Sequence, residues 1–249
     1  MDRKLLKTQA KEVLKKHYVK LLGFTFITVV LGLTFIGFGA ETSAETYTTS
    51  YYLSIFGLSF NVSPNGATAI LVAILTITSL VFGIAVSPVL NYGLQNAYKY
   101  ASTDSLEGYD LFCGFRKNYK NIVIVNLLKG IFISLWTLVF IIPGIIKIYQ
   151  WRYTNQILEE HPDWNYKQVL DASENMTHGH KSDLWVLDLS FIGWYFLFTV
   201  LDMLTIGLAS FLLNPYVYQT DAEAYHWIKS LQEPEVIDVE VVEEPEIIE

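Results

Sequence analysis

Three ionisable residues, Lys129, Arg152 and Asp188, lie inside long apolar stretches of the sequence. A charge at the centre of a bilayer costs about 2.5–3.5 kcal/mol even on insertion scales, so such residues pair, reach water or mark a pathway. An Arg152–Asp188 or Lys129–Asp188 pair inside a helical bundle is one reading. The other is that Lys129 snorkels from about two turns inside its helix while Asp188 sits about one turn inside its own, so that polar helix ends suffice. Asp202, Asp221 and Glu223 fall near the ends of further apolar stretches. His178-Gly179-His180, with His161 nearby, has metal-ligating residue types. Two histidines one residue apart do not share a helical face, however, and no cysteine or well-spaced acid completes a tetrahedral set. The single cysteine, Cys113, excludes an intramolecular disulfide and a four-cysteine metal site. No glycine-rich phosphate loop, Gly-x-Ser-x-Gly elbow or His-Glu-x-x-His helix occurs. These patterns predict no catalytic residue, no metal, no cofactor and no enzyme.

The elements that would position these residues are apolar helices. Of the 249 residues 52% are hydrophobic and 17% charged, with mean hydropathy +0.32. Soluble domains carry about 25% charged residues, so the balance points to several membrane spans. Residues 1–230 balance seventeen bases against seventeen acids, and the net charge of −8 comes from eight acids after residue 230. The expected fold is all-α, a polytopic bundle of six transmembrane helices at about 19–40, 67–90, 121–142, 145–158, 184–201 and 206–227, with amphipathic cytoplasmic helices.

Residues 1–18 read as a basic amphipathic helix, with Leu6, Ala10, Val13, Leu14 and His17 on one side, lying on an anionic leaflet or simply orienting the first span. That span is expected to be an uncleaved anchor. The loop at 41–66 has acids and no base, which places it outside the cytoplasm, as an interfacial segment or a short hairpin. Pro88 is placed to kink the second span, and the bases of 91–120 mark a cytoplasmic connection. The apolar run from 122 to 146 decides the topology. A single span would strand Lys147, Arg152, Lys167 and Lys181 outside; a hairpin turning at Pro143 and Gly144 returns the later bases to the cytoplasm, with Lys147 snorkelling to the outer surface and Arg152 in the bundle, where it needs a partner or water. Asn165 and Gln168 form a capping-box pattern, and Gly179 is a plausible stop for the helix that follows. Residues 231–249 alternate acids with Val and Ile between prolines, the composition of a disordered tail.

The sequence resembles a known family through KTQAKEVLKKHYVKLL at 7–22, FRKNY at 115–119, LWTLVFIIPGIIK at 135–147, EEHPDW at 159–164, HGHK at 178–181, LDLSFIGW at 187–194 and NPY at 214–216. In order and spacing it is similar to the bacterial integral membrane family catalogued as domain of unknown function 975. That resemblance implies a plasma-membrane location and no agreed activity. Function is then expected to be non-enzymatic: a scaffold or accessory protein of the bacterial cell envelope, multi-pass, with both termini cytoplasmic. Its expected partners are the lipid bilayer, anionic lipid at the basic N-terminus and a protein at the acidic tail, with no nucleic acid. The alternative is a small transporter or permease component, with Arg152 and Asp188 lining a polar cavity.

Overall fold

The structure is a computed structural model describing residues 1–32, 36–43, 48–55, 58–62, 66–205 and 209–232; the expected tail lies outside them from residue 233 on. Helix α1, Arg3–Gly32, is started by Asp2, whose carboxylate accepts from the Lys4 amide at 2.9 Å. The boundary expected at residue 18 is absent. Nothing between Arg3 and Gly32 breaks a helix, and the stripe expected on a leaflet, Leu6, Ala10 and Leu14, continues through Leu21 into the protein core. The first expected span ends as helix at Gly32; Ile36–Ala40 instead begins a sheet.

That sheet corrects the all-α expectation locally. Strands β1 (Ile36–Ser43), β2 (Thr48–Ile55) and β3 (Leu58–Val62) form an antiparallel meander, with Ile36 opposite Ile55 and Tyr51 opposite Val62. The Thr- and Tyr-rich sequence of β2 suits a pleated surface, and β2–β3 is the short hairpin that the sequence allowed. The rest of the described chain is helical.

Helix α2, Gly66–Ala85, is followed after Val86 by α3, Ser87–Ser102. Pro88 therefore opens a new helix, where its missing amide costs nothing, and does not kink an existing one. The stretch expected as a cytoplasmic connection is the central helix: α3 is buried almost all round, from Val89 and Leu90 through Tyr98 and Ala101. After a single turn, α4 (Cys113–Arg116), the chain forms α5, Tyr119–Val139.

The hairpin is present, but its turn is at Phe140, which is extended at φ −153° and ψ 135°. Pro143 and Gly144 already belong to the return helix α6, Ile141–Gln150. Gly144 is required there by proximity, not by an unusual φ: a Cβ would lie 2.2 Å from Thr137 Oγ1 and 2.8 Å from Thr137 Cα. The return arm continues through a turn at 151–153 into α7, Thr154–Glu160. It retraces the whole of α5, because Asn126 Nδ2 donates to Asn155 Oδ1 at 2.9 Å and Asn121 Nδ2 to the carbonyls of Pro162 and Trp164 at 3.0 and 2.8 Å.

Helix α8, Tyr166–Thr177, carries the expected capping box, with both reciprocal Asn165–Gln168 bonds at 3.0 Å. It stops where Gly179 takes φ +82°. Helices α9 (Lys181–Leu189) and α10 (Ile192–Thr205) are separated at Ser190 and Phe191, and α11, Ala209–Gln232, packs with α1 and α3.

The core joins Leu6, Val89, Ile122, Val169, Leu184 and Tyr225 from six helices with Tyr153 from the turn before α7. Beyond it the polarity inverts. Leu138 (85%), Ile142 (73%), Phe196 (75%), Met203 (84%) and Leu204 (78%) are largely exposed. Among the described residues two helical stretches, Tyr119–Val139 and Lys181–Thr205, are long and apolar enough to cross a membrane, and only 11% and 17% of their apolar windows are buried. Six such helices were expected. The two stretches fall on the expected third and fifth spans; the expected second and fourth are interrupted, and the expected sixth carries buried Gln219 and Thr220 on α11.

Candidate functional site: a buried arginine between two aspartates

The break between α6 and α7 exposes backbone groups that the protein satisfies locally. The Gln150 carbonyl accepts from Ser173 Oγ at 2.9 Å and Thr177 Oγ1 at 3.2 Å, and the Trp151 carbonyl from Thr154 Oγ1 at 2.7 Å. Both α8 donors are buried and one turn apart, so α8 holds the break open.

Arg152 projects from this break. Its Nη1 and Nη2 donate to Asp188 Oδ2 and Oδ1 at 2.7 and 2.9 Å, and its Nε donates to Asp221 Oδ1 at 2.6 Å. This two-pronged contact is the geometry for which the planar guanidinium is suited. Tyr149 Oη donates to Asp188 Oδ2 at 2.9 Å, and Tyr153 Oη reaches Asp221 Oδ1 at 3.4 Å. Side-chain exposure is 18% for Arg152 and 20% for Asp221, against 35% for Asp188, so the cluster opens toward Asp188.

Of the two pairs considered from sequence, Arg152–Asp188 forms. Lys129–Asp188 does not. The sequence reading missed Asp221 as a partner, although Tyr218, Asp221, Ala222 and Tyr225 recur at helical spacing and mark the inward side of α11. Lys147 does not reach an outer surface; it pairs with Glu174 of α8 at 3.2 Å. Pro143 and Gly144 stand apart from the cluster, near the hairpin tip.

A second network was not foreseen. Lys99, buried on α3, contacts Glu159 Oε2 and Glu160 Oε1 of α7, each at 2.9 Å. Tyr100 Oη donates to Glu159 at 2.5 Å, and Tyr225 Oη and Lys229 Nζ donate to Glu160 at 2.7 and 2.9 Å. Burial raises the Glu160 pKa, but hydrogen bonds from Lys99, Tyr225 and Lys229 outweigh it and hold the carboxyl down at about 2. Burial, and then the bond to Glu159, raises the Tyr100 phenol. The signal was available: EEHPDW supplies two adjacent acids, and Lys99 is the one charged residue of its helix.

Neither network presents a nucleophile beside a free base. Among the described residues no three of His, Cys, Asp and Glu converge on a possible metal position. His180 Nδ1 lies 3.4 Å from Asp183 Oδ2, and His161 stacks on Trp164 with ring centroids 3.9 Å apart.

Residues 145–232 match the family described as protein of unknown function (DUF975). The likeness to that family extends over this segment alone. Arg152, Asp188 and Asp221 all lie inside the matched segment, as do Glu159, Glu160 and Lys229; Lys129, Lys99, Pro143 and Gly144 lie before it. No curated protein and no solved structure matches the chain.

Proposed function

We propose that this DUF975 protein is a multi-pass membrane protein of the bacterial cell envelope that acts as a non-enzymatic scaffold or accessory component. The observation that carries this reading is the bare apolar surface: large apolar side chains cover the outside of α5, α6 and α10, while Asn96, Lys99, Gln150 and Gln219 are buried and Arg152, Asp188 and Asp221 are partly buried. Soluble monomers rarely leave an apolar surface of this extent bare, and lipid is the solvent that favours it.

The Lys147–Glu174 pair sets the depth of the α5–α6 hairpin. Only residues 141–146 of the return arm lie beyond it, about 9 Å of helix against the ~30 Å of a hydrocarbon core. The hairpin therefore enters the membrane and returns without crossing, leaving α1, α2, α10 and α11 as crossings in place of six. Both termini stay in the cytoplasm, since a hairpin that returns does not change sides.

The closed ion networks favour a structural role. Every hydrogen-bonding edge of the Arg152 guanidinium that meets a carboxylate is already used within the protein. A transporter component is the second reading, favoured by the broken return arm with its charged residues at the break, a device that membrane carriers use to expose backbone groups at a site.

Three measurements test the reading. The protein should remain with membranes through an alkaline wash and leave them only with detergent; release without detergent would overturn membrane integration. In a Cys113→Ser background, cysteine at position 140 should be shielded from a membrane-impermeant maleimide added outside, whereas rapid labelling would restore six crossings. Uptake of any solute that is abolished by Asp188→Asn in a correctly folded protein would replace the scaffold with the transporter.

A further inference from the structure

A groove of about 460 Å³ runs between α1, α10 and α11, bordered by Lys11, Lys15 and Tyr18 on α1, Trp194 and Phe198 on α10, and Leu212 on α11. Its floor is apolar and aromatic, with the Trp194 and Phe198 rings 6.3 Å apart. Its rim is cationic. The two lysines lie one helical turn apart on the same face of α1, and both are exposed.

The other lysines of this helix section are engaged. Lys7 Nζ donates to the Ser190 carbonyl at 3.2 Å and sits 4.0 Å from the Phe191 ring centroid; Lys16 pairs with Asp104 at 3.0 Å; Lys20 donates to the Leu106 carbonyl at 2.7 Å. Lys11 meets only the Tyr216 ring, 5.6 Å from its centroid, and neither Lys11 nor Lys15 meets a carboxylate among the described residues. Glu12, which lies between them in sequence, pairs with neither.

We propose that this groove holds one anionic phospholipid, with its phosphate on Lys11 and Lys15 and an acyl chain along Trp194, Phe198 and Leu212. The volume is within the ~300–1,000 Å³ of ordinary ligand sites. The apolar wall belongs to α10, whose remaining surface is bare, so the groove opens on the side that lipid occupies. Tyr18, Trp194 and Tyr216 stand near its rim, the residue types that favour the headgroup level. The proposal rests on the membrane reading above and deepens it from general lipid contact to a specific position.

The test uses the full chain in a neutral maltoside detergent, with native mass spectrometry after adding phosphatidylglycerol or phosphatidylcholine of the same acyl composition. One phosphatidylglycerol should be retained about tenfold better than phosphatidylcholine, since each lysine near an anionic headgroup contributes on the order of 1 kcal/mol. Lys11→Gln with Lys15→Gln should remove that preference, and Leu212→Trp, which fills the groove, should weaken retention of both lipids. Lys167→Gln with Lys181→Gln, an equal change of charge elsewhere, should leave the preference intact. Equal retention of the two lipids by the unmodified protein, a preference that survives loss of Lys11 and Lys15, or equal loss in the Lys167 and Lys181 variant would overturn the proposal. Lys11, Lys15 and Leu212 are exposed, so folding does not depend on them. A protein that needs detergent yet fails this test loses only the groove; one that stays soluble without detergent loses the membrane reading itself.

Discussion

Replacing Arg152 with Met keeps much of the side-chain volume and removes the cation, leaving Asp188 and Asp221 facing each other with only tyrosine donors. The structure allows the cost to be bounded. Three charge-assisted hydrogen bonds of 2.6–2.9 Å are lost at once, and breaking a buried ion pair from one side costs about 3–5 kcal/mol because a charge is stranded. Asp188 keeps 35% of its side-chain surface in contact with solvent, which places the expectation at the lower end, about 3 kcal/mol. For a chain of this size that corresponds to a fall in Tm of roughly 6–12 °C, read by tryptophan fluorescence on heating in detergent. The diagnostic step is rescue. Adding Asp188→Asn and Asp221→Asn to Arg152→Met removes the stranded charges, and the triple variant should recover more than half of the loss. Arg152→Lys should fall between, because an ammonium cannot fork across both carboxylate oxygens. An Arg152→Met protein that melts within 2 °C of the original, by this roughly 6–12 °C scale, would refute the reasoning; so would a triple variant no more stable than the single one.

Three further outcomes follow from geometry. An unfolded glutamate takes up its proton near 4.5, whereas Glu160 in the fold resists protonation down to about 2; its stabilisation is thus fully present above pH 4.5 and is lost as pH falls through that window, by about 2 kcal/mol, and Glu160→Gln should flatten that part of a stability-against-pH curve. Gly144→Ala sets a methyl against the Thr137 backbone and should cost about 1–3 kcal/mol, with hydrogen exchange rising first in α6. Asn165→Ala removes one half of the capping box and should cost about 1 kcal/mol, measured by thermal unfolding, with α8 fraying at its start.

The parts of the fold legible in the sequence were those with local causes. The capping box at Asn165 and the stop at Gly179 are backbone chemistry written within a few residues, and they appear as read. The hairpin was legible through the bases that follow it, but its turn was not. Pro143-Gly144 is turn-like in isolation, yet proline is equally at home in the first turn of a helix, and glycine is needed wherever two helices touch. Helix α3 was hidden for a related reason: Gln95, Asn96 and Lys99 look like surface residues, and only the tertiary structure supplies Asn155, Gln156 and Glu159 as their partners. Arg152–Asp188 could be named as a pair because two opposite charges in apolar runs have few other options. Asp221 could not, because Asp202, Asp221 and Glu223 all fall near the ends of apolar stretches and that position does not say which of them turns inward.

Both ion networks close on the same two elements, the return arm and α11. Arg152 ties the α6–α7 break to α9 and α11, and Glu159 and Glu160 tie the next turn of the arm to α3 and α11. Apolar contact alone would specify this arrangement poorly beside a membrane, since lipid tails are as apolar as leucine and offer each helix an equivalent surface. A charge that must be met at 3 Å does not tolerate a helix shifted by one turn, about 5.4 Å, so the two networks together fix the rotation and height of α11 against the arm. The segment matched to the family contains the arm from residue 145 on, both aspartates that hold its arginine and the helix they lock. What precedes it includes the hairpin tip, the sheet, α1 and α2, together with Lys99, which the second network draws from α3.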